Sequence, residues 1–293
     1  MENTKNMKQK KNKFSAAKFV FAIAFILFSL YAVTMIFSLV WLGSTSLKDL
    51  EGYYDPSFFP QGEWMFSNYV QAFSELKVGK SNVIGMIFNS LWYSIGGAFL
   101  GVAVSTCFAY VVSKYRFFGR RVLYAIAIVV MLIPIVGALP SQYKLYTALH
   151  MINSPLILLC FTSGFGLNFL VMKACFDNLS WSYAEAAFVD GAKHAKVFFT
   201  VMLPQVLPTI TALFLVAFIG NWNDYMGPLV FMPQLPTLST GLFLYQERHF
   251  DKVNISKPVF FAGVVLCLVP VLTLFLIFQN TIMDISISGG VKE

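Results

Sequence analysis

The sequence predicts an all-α membrane protein with six transmembrane helices and both termini on the cytoplasmic side. Three observations support this fold class. Apolar residues make up 57% of the chain, charged residues only 12%, and the mean hydropathy is +0.68, whereas roughly a quarter of an ordinary soluble domain is charged. Six long stretches contain no Asp, Glu, Lys or Arg. The Lys and Arg residues are concentrated in alternate connections between these stretches.

The six uncharged stretches are predicted to cross the membrane as helices. A span needs about 17–25 residues, and at such lengths only a helix satisfies its backbone internally. The first stretch is too long for the apolar region of a cleaved signal peptide, so we expect an uncleaved anchor. The fifth is the shortest and is predicted to continue through Asp224 toward Phe231. The stretches are residues 19–42, 84–112, 122–139, 155–172, 205–220 and 258–283.

The distribution of positive charge predicts the orientation and the boundaries. Of the 21 Lys and Arg residues, 14 lie before the first stretch or after the second, fourth or sixth, and basic residues mark the cytoplasmic side. The external loop is interpreted either as a lid or docking surface or as a solvated connector. The predicted segments are a basic cytoplasmic N-terminus (1–18), a first transmembrane helix (19–43), an external loop (44–83), a five-helix core (84–283) that includes a cytoplasmic loop (173–204), and a cytoplasmic tail (284–293).

Several function classes are disfavoured. The net charge of +7 follows mostly from the cytoplasmic bias of Lys and Arg, not from a basic face on a soluble fold, so no nucleic-acid partner is expected. The four Cys residues lie in or beside apolar stretches without a C-x-x-C pair, which is typical of small buried hydrophobes. No phosphate-binding loop, metal-ligand spacing or catalytic triad order is present. We therefore expect no enzyme activity, no catalytic residue and no metal site on this chain.

Small residues recur on one face of the second stretch. Gly97, Gly101 and Ser105 follow one another at intervals of four. Such a stripe allows a neighbouring helix to approach closely, which matters where lipid removes the hydrophobic drive for helix association. The pattern predicts helix packing and says little about function.

The loop between the fourth and fifth stretches carries the most specific pattern. Ser182 and Glu185 have the spacing of a capping box, which predicts that Ser182 is the N-cap residue of a short helix. Gly191 follows Asp190 where a left-handed residue is expected to end that helix and reverse the chain. A second helix is predicted from about Ala192 to Pro204. The loop should therefore form a helix–Gly–helix protrusion into the cytoplasm.

This loop resembles the EAA loop of the membrane subunits of ATP-binding-cassette importers. The residues Glu185-Ala186-Ala187, then Gly191 after three positions and Val201-Met202-Leu203-Pro204 after nine more match EAA-x3-G-x9-I-x-L-P, with Val in place of Ile. Three further segments are similar to carbohydrate-uptake permeases of the MalG-like, binding-protein-dependent type. They are Tyr115-Arg116-Phe117-Phe118-Gly119-Arg120, Trp222-Asn223-Asp224-Tyr225 with Pro228-Leu229, and Gly289-Gly290-Val291-Lys292. The resemblance as a whole covers about residue 82 to the C-terminus.

The resemblance implies an importer-type permease core with a cytoplasmic coupling helix, in the cytoplasmic (inner) membrane of a prokaryote. It implies no cofactor on this chain, because ATP and Mg²⁺ would be bound by a partner ATPase. The expected partners are a second homologous permease subunit, two ATPase subunits, an external solute-binding protein and membrane lipid. The expected solutes are oligosaccharides, monosaccharides or polyols, but the particular solute cannot be read from this chain. The residues that the resemblance places in ATPase coupling are Glu185, Ala186, Ala187, Asp190, Gly191, Leu203 and Pro204.

Polar side chains within the stretches are candidates for the solute path. They must face protein or a water-filled cavity, since an unpaired polar group in lipid is costly. The alternative is that they bridge helices. A second function also stays open, an ion-coupled secondary transporter of a small polar solute that uses Asp224 or Glu185 as its proton-coupling acid. The candidate solute-path residues are Asn89, Asn168, Asn221, Trp222, Asn223, Asp224 and Tyr225.

Overall fold

A computed structural model describes the backbone of residues 2–133, 137–249 and 256–290, and the side chains of residues 18–133, 137–247 and 256–279. Within these ranges the regular structure is helical, apart from an isolated antiparallel bridge between Val78 and Ser81. This agrees with the predicted all-α class.

Fourteen α-helices are present in the described ranges, with a 3₁₀ segment at Pro155–Phe161 and a π-helical turn at Phe198–Met202. The helices are α1 (Glu2–Ser46), α2 (Leu50–Tyr54), α3 (Ser67–Glu75), α4 (Val83–Lys114), α5 (Arg120–Leu132), α6 (Leu139–Ala148), α7 (Leu167–Asn178), α8 (Ser182–Val189), α9 (His194–Val197), α10 (Leu203–Gln205), α11 (Leu207–Asn223), α12 (Met226–Phe231), α13 (Leu238–His249) and α14 (Lys257–Gly290).

The chain divides into two compact units. The first comprises the described residues within 1–70 and 254–265. From Phe19 to Trp41 most of the apolar side chains of α1 point outward, with Phe21 and Phe28 each 73% exposed, as expected of a helix that faces lipid. The segment after α1 is tied back by the Asn68 amide, whose Nδ2 donates to the carbonyl oxygens of Ser46 (2.9 Å) and Lys48 (2.8 Å). This segment is therefore a folded element.

The second unit comprises the described residues within 71–253 and 266–293 and is organised around α4. This helix packs against α7, α11, α13 and the 3₁₀ segment. The predicted small-residue stripe lies in these contacts: Gly101 approaches the Phe161 carbonyl, and Ser105 Oγ donates to the Ser163 carbonyl at 3.3 Å. The packing role predicted for the stripe is confirmed.

Gly97 provides a direct test of this packing. A Cβ at Gly97 would lie 2.7 Å from Asn221 Nδ2 and 3.0 Å from a Phe161 ring carbon. We expect Gly97→Leu to reduce the free energy of unfolding by about 1–3 kcal/mol, the usual cost of overpacking. Gly220→Leu is the control, because a Cβ at Gly220 has no described neighbour within 4 Å. Thermal unfolding of the purified variants in detergent checks the difference; equal midpoints would contradict close α4–α11 packing.

Three of the predicted helices are interrupted. The stretch 122–139 is not one helix: α5 ends before Ile133, which is extended because it precedes Pro134. The stretch 155–172 is a 3₁₀ segment followed by α7, with Gly166 at φ +131° between them. The continuation of the fifth stretch toward Phe231 is also wrong, because α11 ends at Asn223 and the chain is extended at Asp224.

Candidate spans are accordingly fewer than predicted. In the described part of the chain, three helical segments are long and apolar enough to cross a membrane: Lys18–Ser46, Val83–Lys114 and Lys257–Gln279. A fourth arises if His194–Gln205 and Leu207–Asn223, bent by 76° at Val206, form one span. The count of six and the cytoplasmic position of both termini stay predictions.

Candidate functional sites: the 173–204 loop and the polar residues near the end of α11

Residues 173–204 are hereafter called the coupling loop, after the role that the resemblance to the EAA loop implies. They reverse direction at Gly191 as predicted. Gly191 has φ +80°. The Gly191 N–H donates to the Phe188 carbonyl and the Ala192 N–H to the Ala187 carbonyl, both at 3.0 Å, which is the Schellman pattern. The left-handed turn that ends the first loop helix is confirmed.

The predicted capping box is wrong. Ser182 is the first residue of α8, and Trp181 occupies the cap position. The Glu185 N–H was expected to donate a hydrogen bond to the Ser182 side chain. It donates to the Trp181 carbonyl instead, at 3.1 Å. The Ser182 hydroxyl lies 2.7 Å from the Ser180 hydroxyl instead. Within the described residues, the Glu185 carboxylate has neither a hydrogen bond nor an ion pair, so it is available to a group outside the chain.

The second loop helix also differs from the prediction. Lys193 is extended, α9 begins at His194, and a π-helical turn follows at Phe198–Met202. In that turn the Leu203 N–H reaches the Phe198 carbonyl. Pro204 has no N–H to continue the normal i→i−4 pattern, which accounts for irregular backbone at this point.

The coupling loop has an exposed edge and a buried face. The edge contains Glu185, Ala186, Asp190, Gly191 and Pro204, with Ala187 and Leu203 half-buried. Val189 is 87% exposed although it is apolar, and exposed apolar residues of this kind commonly mark contact surfaces. The opposite side of α8 places Ala184 in the core.

Aromatic side chains hold the buried face of the coupling loop against α4, and of these only Tyr115 belongs to a segment that carries the family resemblance. The Phe198 ring centroid lies 4.7 Å from that of Tyr110. The Tyr115 hydroxyl lies 2.9 Å from His194 Nδ1, and the His194 ring packs on Phe188 at 4.9 Å. Their scattered positions along the chain carry no spacing signal, so only the tertiary contacts reveal them.

A polar cluster anchors the start of the coupling loop to the end of α4. Asp177 accepts hydrogen bonds from Ser113 Oγ and Lys173 Nζ, each at 2.5 Å, and Lys114 Nζ donates to the Leu179 carbonyl at 2.7 Å. Burial raises the pKa of the Asp177 carboxyl, but the hydrogen bonds from Lys173 and Ser113 outweigh it and hold this pKa below its usual range. The carboxylate is therefore charged at neutral pH and orients the exit of α7.

Asp224, one of the candidate solute-path residues, connects two helices through its carboxylate. It is half-buried where α11 ends. Its Oδ2 accepts a hydrogen bond from the Tyr93 hydroxyl at 2.8 Å, and its Oδ1 accepts one from the Gly227 N–H at 2.9 Å. The carboxylate thus connects α4 to the first turn of α12. A bridge of this kind positions the chain break after α11.

Trp222 and Asn89 have partners within the protein. Trp222 is 1% exposed, and its Nε1 donates to the Cys267 carbonyl at 3.0 Å. Asn89 Nδ2 donates to the Pro236 carbonyl at 3.1 Å, and its Oδ1 accepts from Trp92 Nε1 at 3.2 Å. Trp222 thus bridges α11 to α14, and Asn89 connects α4 to the segment before α13.

The other candidates differ in exposure. Asn223 is exposed and donates to the Ile219 carbonyl at 2.9 Å. Tyr225 is 38% exposed and stacks on Phe243 at 4.6 Å. Asn221, half-buried, approaches Gly97, and Asn168 is half-buried near the start of α7. In the described part of the chain, no group of three or more His, Cys, Asp or Glu side chains is placed to hold a metal ion.

The chain is similar to known transport proteins. The family of binding-protein-dependent transport system inner membrane components matches residues 97–284. The chain is 27% identical over 273 residues to the diacetylchitobiose uptake system permease protein NgcG of Streptomyces coelicolor, covering 92% of this chain and 88% of that protein. It is 28% identical over 276 residues to the sulfoquinovosyl glycerol transport system permease protein SmoH of Agrobacterium fabrum, covering 92% and 93%.

A third relative is also a transport system permease protein, and a solved structure contains the same fold. The galactooligosaccharides transport system permease protein GanQ of Bacillus subtilis is 27% identical over 278 residues, covering 92% of this chain and 94% of that protein. A bacterial ABC transporter involved in the import of alginate contains a chain with the same fold, at a TM-score of 0.72 and 21% identity, covering 88% of this chain and 94% of that one. Since the family match covers more than half of the sequence, this chain belongs to the family of binding-protein-dependent transport system inner membrane components.

Proposed function

We propose that this chain is the membrane-spanning permease subunit of an ATP-driven, binding-protein-dependent importer for sugars: oligosaccharides, monosaccharides or polyols. The observation that carries this proposal is the coupling loop. It presents the Glu185 carboxylate, which has no ion pair among the described residues, beside a left-handed Gly191, and aromatic side chains pack its buried face against α4. A rigid, exposed edge of this kind is suited to transmit movement from a partner subunit.

The proposed complex contains a second homologous permease subunit, two ATPase subunits that bind ATP and Mg²⁺, and an external solute-binding protein. The coupling loop would contact an ATPase subunit from the cytoplasm. This chain would form half of the translocation path, in the cytoplasmic membrane of a prokaryote. The named relatives support a sugar substrate, because diacetylchitobiose, sulfoquinovosyl glycerol and galactooligosaccharides are all carbohydrates or carbohydrate derivatives.

Uptake measurements on a deletion strain test this function. We expect loss of uptake for one or a few sugars or polyols in a labelled-solute screen, with recovery when the gene is restored. The restored uptake should stop on ATP depletion and persist when a protonophore collapses the proton gradient. The opposite pattern, uptake lost with the gradient and retained without ATP, would establish the ion-coupled alternative. A tagged chain should also retain an ATPase subunit on purification.

A further inference from the structure

Lys48, in the segment that follows α1, is a buried cation without a described counter-charge. The residue is 5% exposed, and its Nζ donates to the Ser57 carbonyl at 2.5 Å. An ammonium group has three N–H donors, so this bond leaves two. Among the described side chains, no carboxylate lies within 4 Å of Lys48 Nζ. Burial of a charge is costly unless it is paired, which points to an anionic group supplied from outside the chain.

Lys48 lines a cavity of about 590 Å³ with Thr45, Ser57, Asp55 and the aromatic residues Trp41 and Phe58. The exposed Asp55 carboxylate accepts a hydrogen bond from the Ser57 N–H at 2.9 Å and forms no ion pair with Lys48. Thr45 is 2% exposed, yet among the described residues its Oγ1 has no hydrogen-bond partner, and the buried Ser57 Oγ has none there either. Buried hydroxyls are normally satisfied. Two unsatisfied hydroxyls and an unpaired ammonium around one cavity form a site for an acceptor-rich anion.

An apolar groove of about 380 Å³ continues from this cavity along α1. Its lining is Val33, Ile36, Phe37, Val40 and Phe58, and it shares Phe37 and Phe58 with the cavity. The α1 positions follow the i, i+3, i+4, i+7 spacing of one helix face. From Val33 to Val40 the face extends about 10 Å, within the apolar segment Lys18–Ser46 that is long enough to span a membrane.

We propose that this cavity and groove bind one anionic phospholipid. The phosphate accepts hydrogen bonds from Lys48 and Thr45, and an acyl chain lies along the Val33–Val40 face of α1. A soluble anion would occupy the cavity but not the groove. A phospholipid would occupy both, with its phosphate in the cavity and an acyl chain in the groove. Because Lys48 follows shortly after the end of the apolar segment, its ammonium is at the level of lipid head groups. The site would bind lipid whatever solute the protein carries.

Native mass spectrometry of the full chain, purified in detergent with its co-purifying subunits, tests the proposal. The probes are dioleoylphosphatidylglycerol and the zwitterionic dioleoylphosphatidylcholine. We expect preferential retention of phosphatidylglycerol, and about fivefold weaker retention in Lys48→Met, the usual contribution of one Lys near anionic lipid. Lys77→Met is the matched control, since Lys77 is exposed and also lies in the predicted external loop. Equal retention of the two lipids by the unmodified protein would overturn the proposal.

Two further arms separate a lipid from a soluble anion. Val40→Trp fills the groove and should weaken retention of phosphatidylglycerol, and glycerophosphoglycerol, the same head group without acyl chains, should not displace the lipid at equal concentration. Displacement at equal concentration, or no effect of Val40→Trp, would make the occupant a soluble anion. If Lys48→Met fails to fold, Lys48→Arg should keep the preference and Thr45→Val should weaken it. A Thr45→Val protein with unchanged lipid retention would exclude the hydroxyl from the site.

Discussion

Gly191→Val is expected to reduce the amount of ATPase subunit that co-purifies with this chain by about tenfold and to abolish solute-stimulated ATP hydrolysis. Gly191 has φ +80°, a conformation that costs a residue with a Cβ roughly 1–2 kcal/mol and is especially unfavourable for a β-branched one. That penalty corresponds to roughly a 5- to 30-fold change in an equilibrium. Relief of the strain would displace the Glu185 edge of the coupling loop from its partner.

Two variants at the same position distinguish backbone strain from contact with the partner. Gly191→Asn should retain more ATPase than Gly191→Val, because Asn tolerates the left-handed conformation and a Cβ here has no described neighbour within 4 Å. Gly191→Asp has nearly the same shape as Asn but places a charge in the proposed contact, so it should be worse than Asn. Normal assembly and ATP hydrolysis in both Gly191→Val and Gly191→Asp would show that the coupling loop does not connect this chain to the ATPase subunit.

Glu185 sharpens the interpretation of these variants. Since its carboxylate neither caps α8 nor pairs within the described residues, Glu185→Ala should leave the loop itself intact. Any loss of ATPase retention in that variant would come from the partner contact alone. We expect this loss to be smaller than for Gly191→Val, because one exposed ion pair is usually worth less than about 1 kcal/mol.

Asp224→Ala is expected to lower both the stability of the protein and its rate of solute uptake. The substitution removes two hydrogen bonds, from the Tyr93 hydroxyl and the Gly227 N–H. A hydrogen bond to a charged group contributes about 1.5–3 kcal/mol, so the free energy of unfolding should fall by at least that amount. The junction between α11 and α12 should then lose its connection to α4. Thermal unfolding and labelled-solute uptake at matched expression measure the two effects.

Tyr93→Phe is the matched control for a purely structural role. It removes the hydroxyl that donates to Asp224 and leaves the carboxylate and its bond to Gly227 in place. If Asp224 also contacts the solute, Asp224→Ala should raise the apparent KM for uptake while Tyr93→Phe leaves it unchanged. If both variants change uptake only in proportion to their loss of stability, Asp224 is a structural carboxylate. Unchanged uptake rate and affinity in Asp224→Ala would remove it from the solute path.

The coupling loop shows how far local sequence reasoning extends. The left-handed turn at Gly191 was predictable, because glycine after a short helix is the residue that adopts this conformation without penalty. The identity of the N-cap residue was not. Ser182 and Glu185 have the right spacing for a capping box, but in the structure Trp181 is the N-cap residue, and Ser182 is the first helical residue and contacts Ser180. A spacing rule cannot distinguish two N-cap positions that differ by one residue, since packing of the Trp181 ring against Phe188 and Tyr115 also contributes.

By itself, the sequence determined the membrane class, the helical content and the chain reversal at Gly191 in the coupling loop. Composition, apolar length and the spacing around Gly191 are local properties of the chain. Tertiary structure alone decided where the helices break and what the intramembrane polar groups contact. Asp224 meets Tyr93 across 131 positions of sequence, and Asn89 meets Pro236 across 147. No local pattern specifies such pairs, because a buried polar group requires a partner but its spacing does not say which one. Which partner such a residue has is therefore decided by three-dimensional contacts.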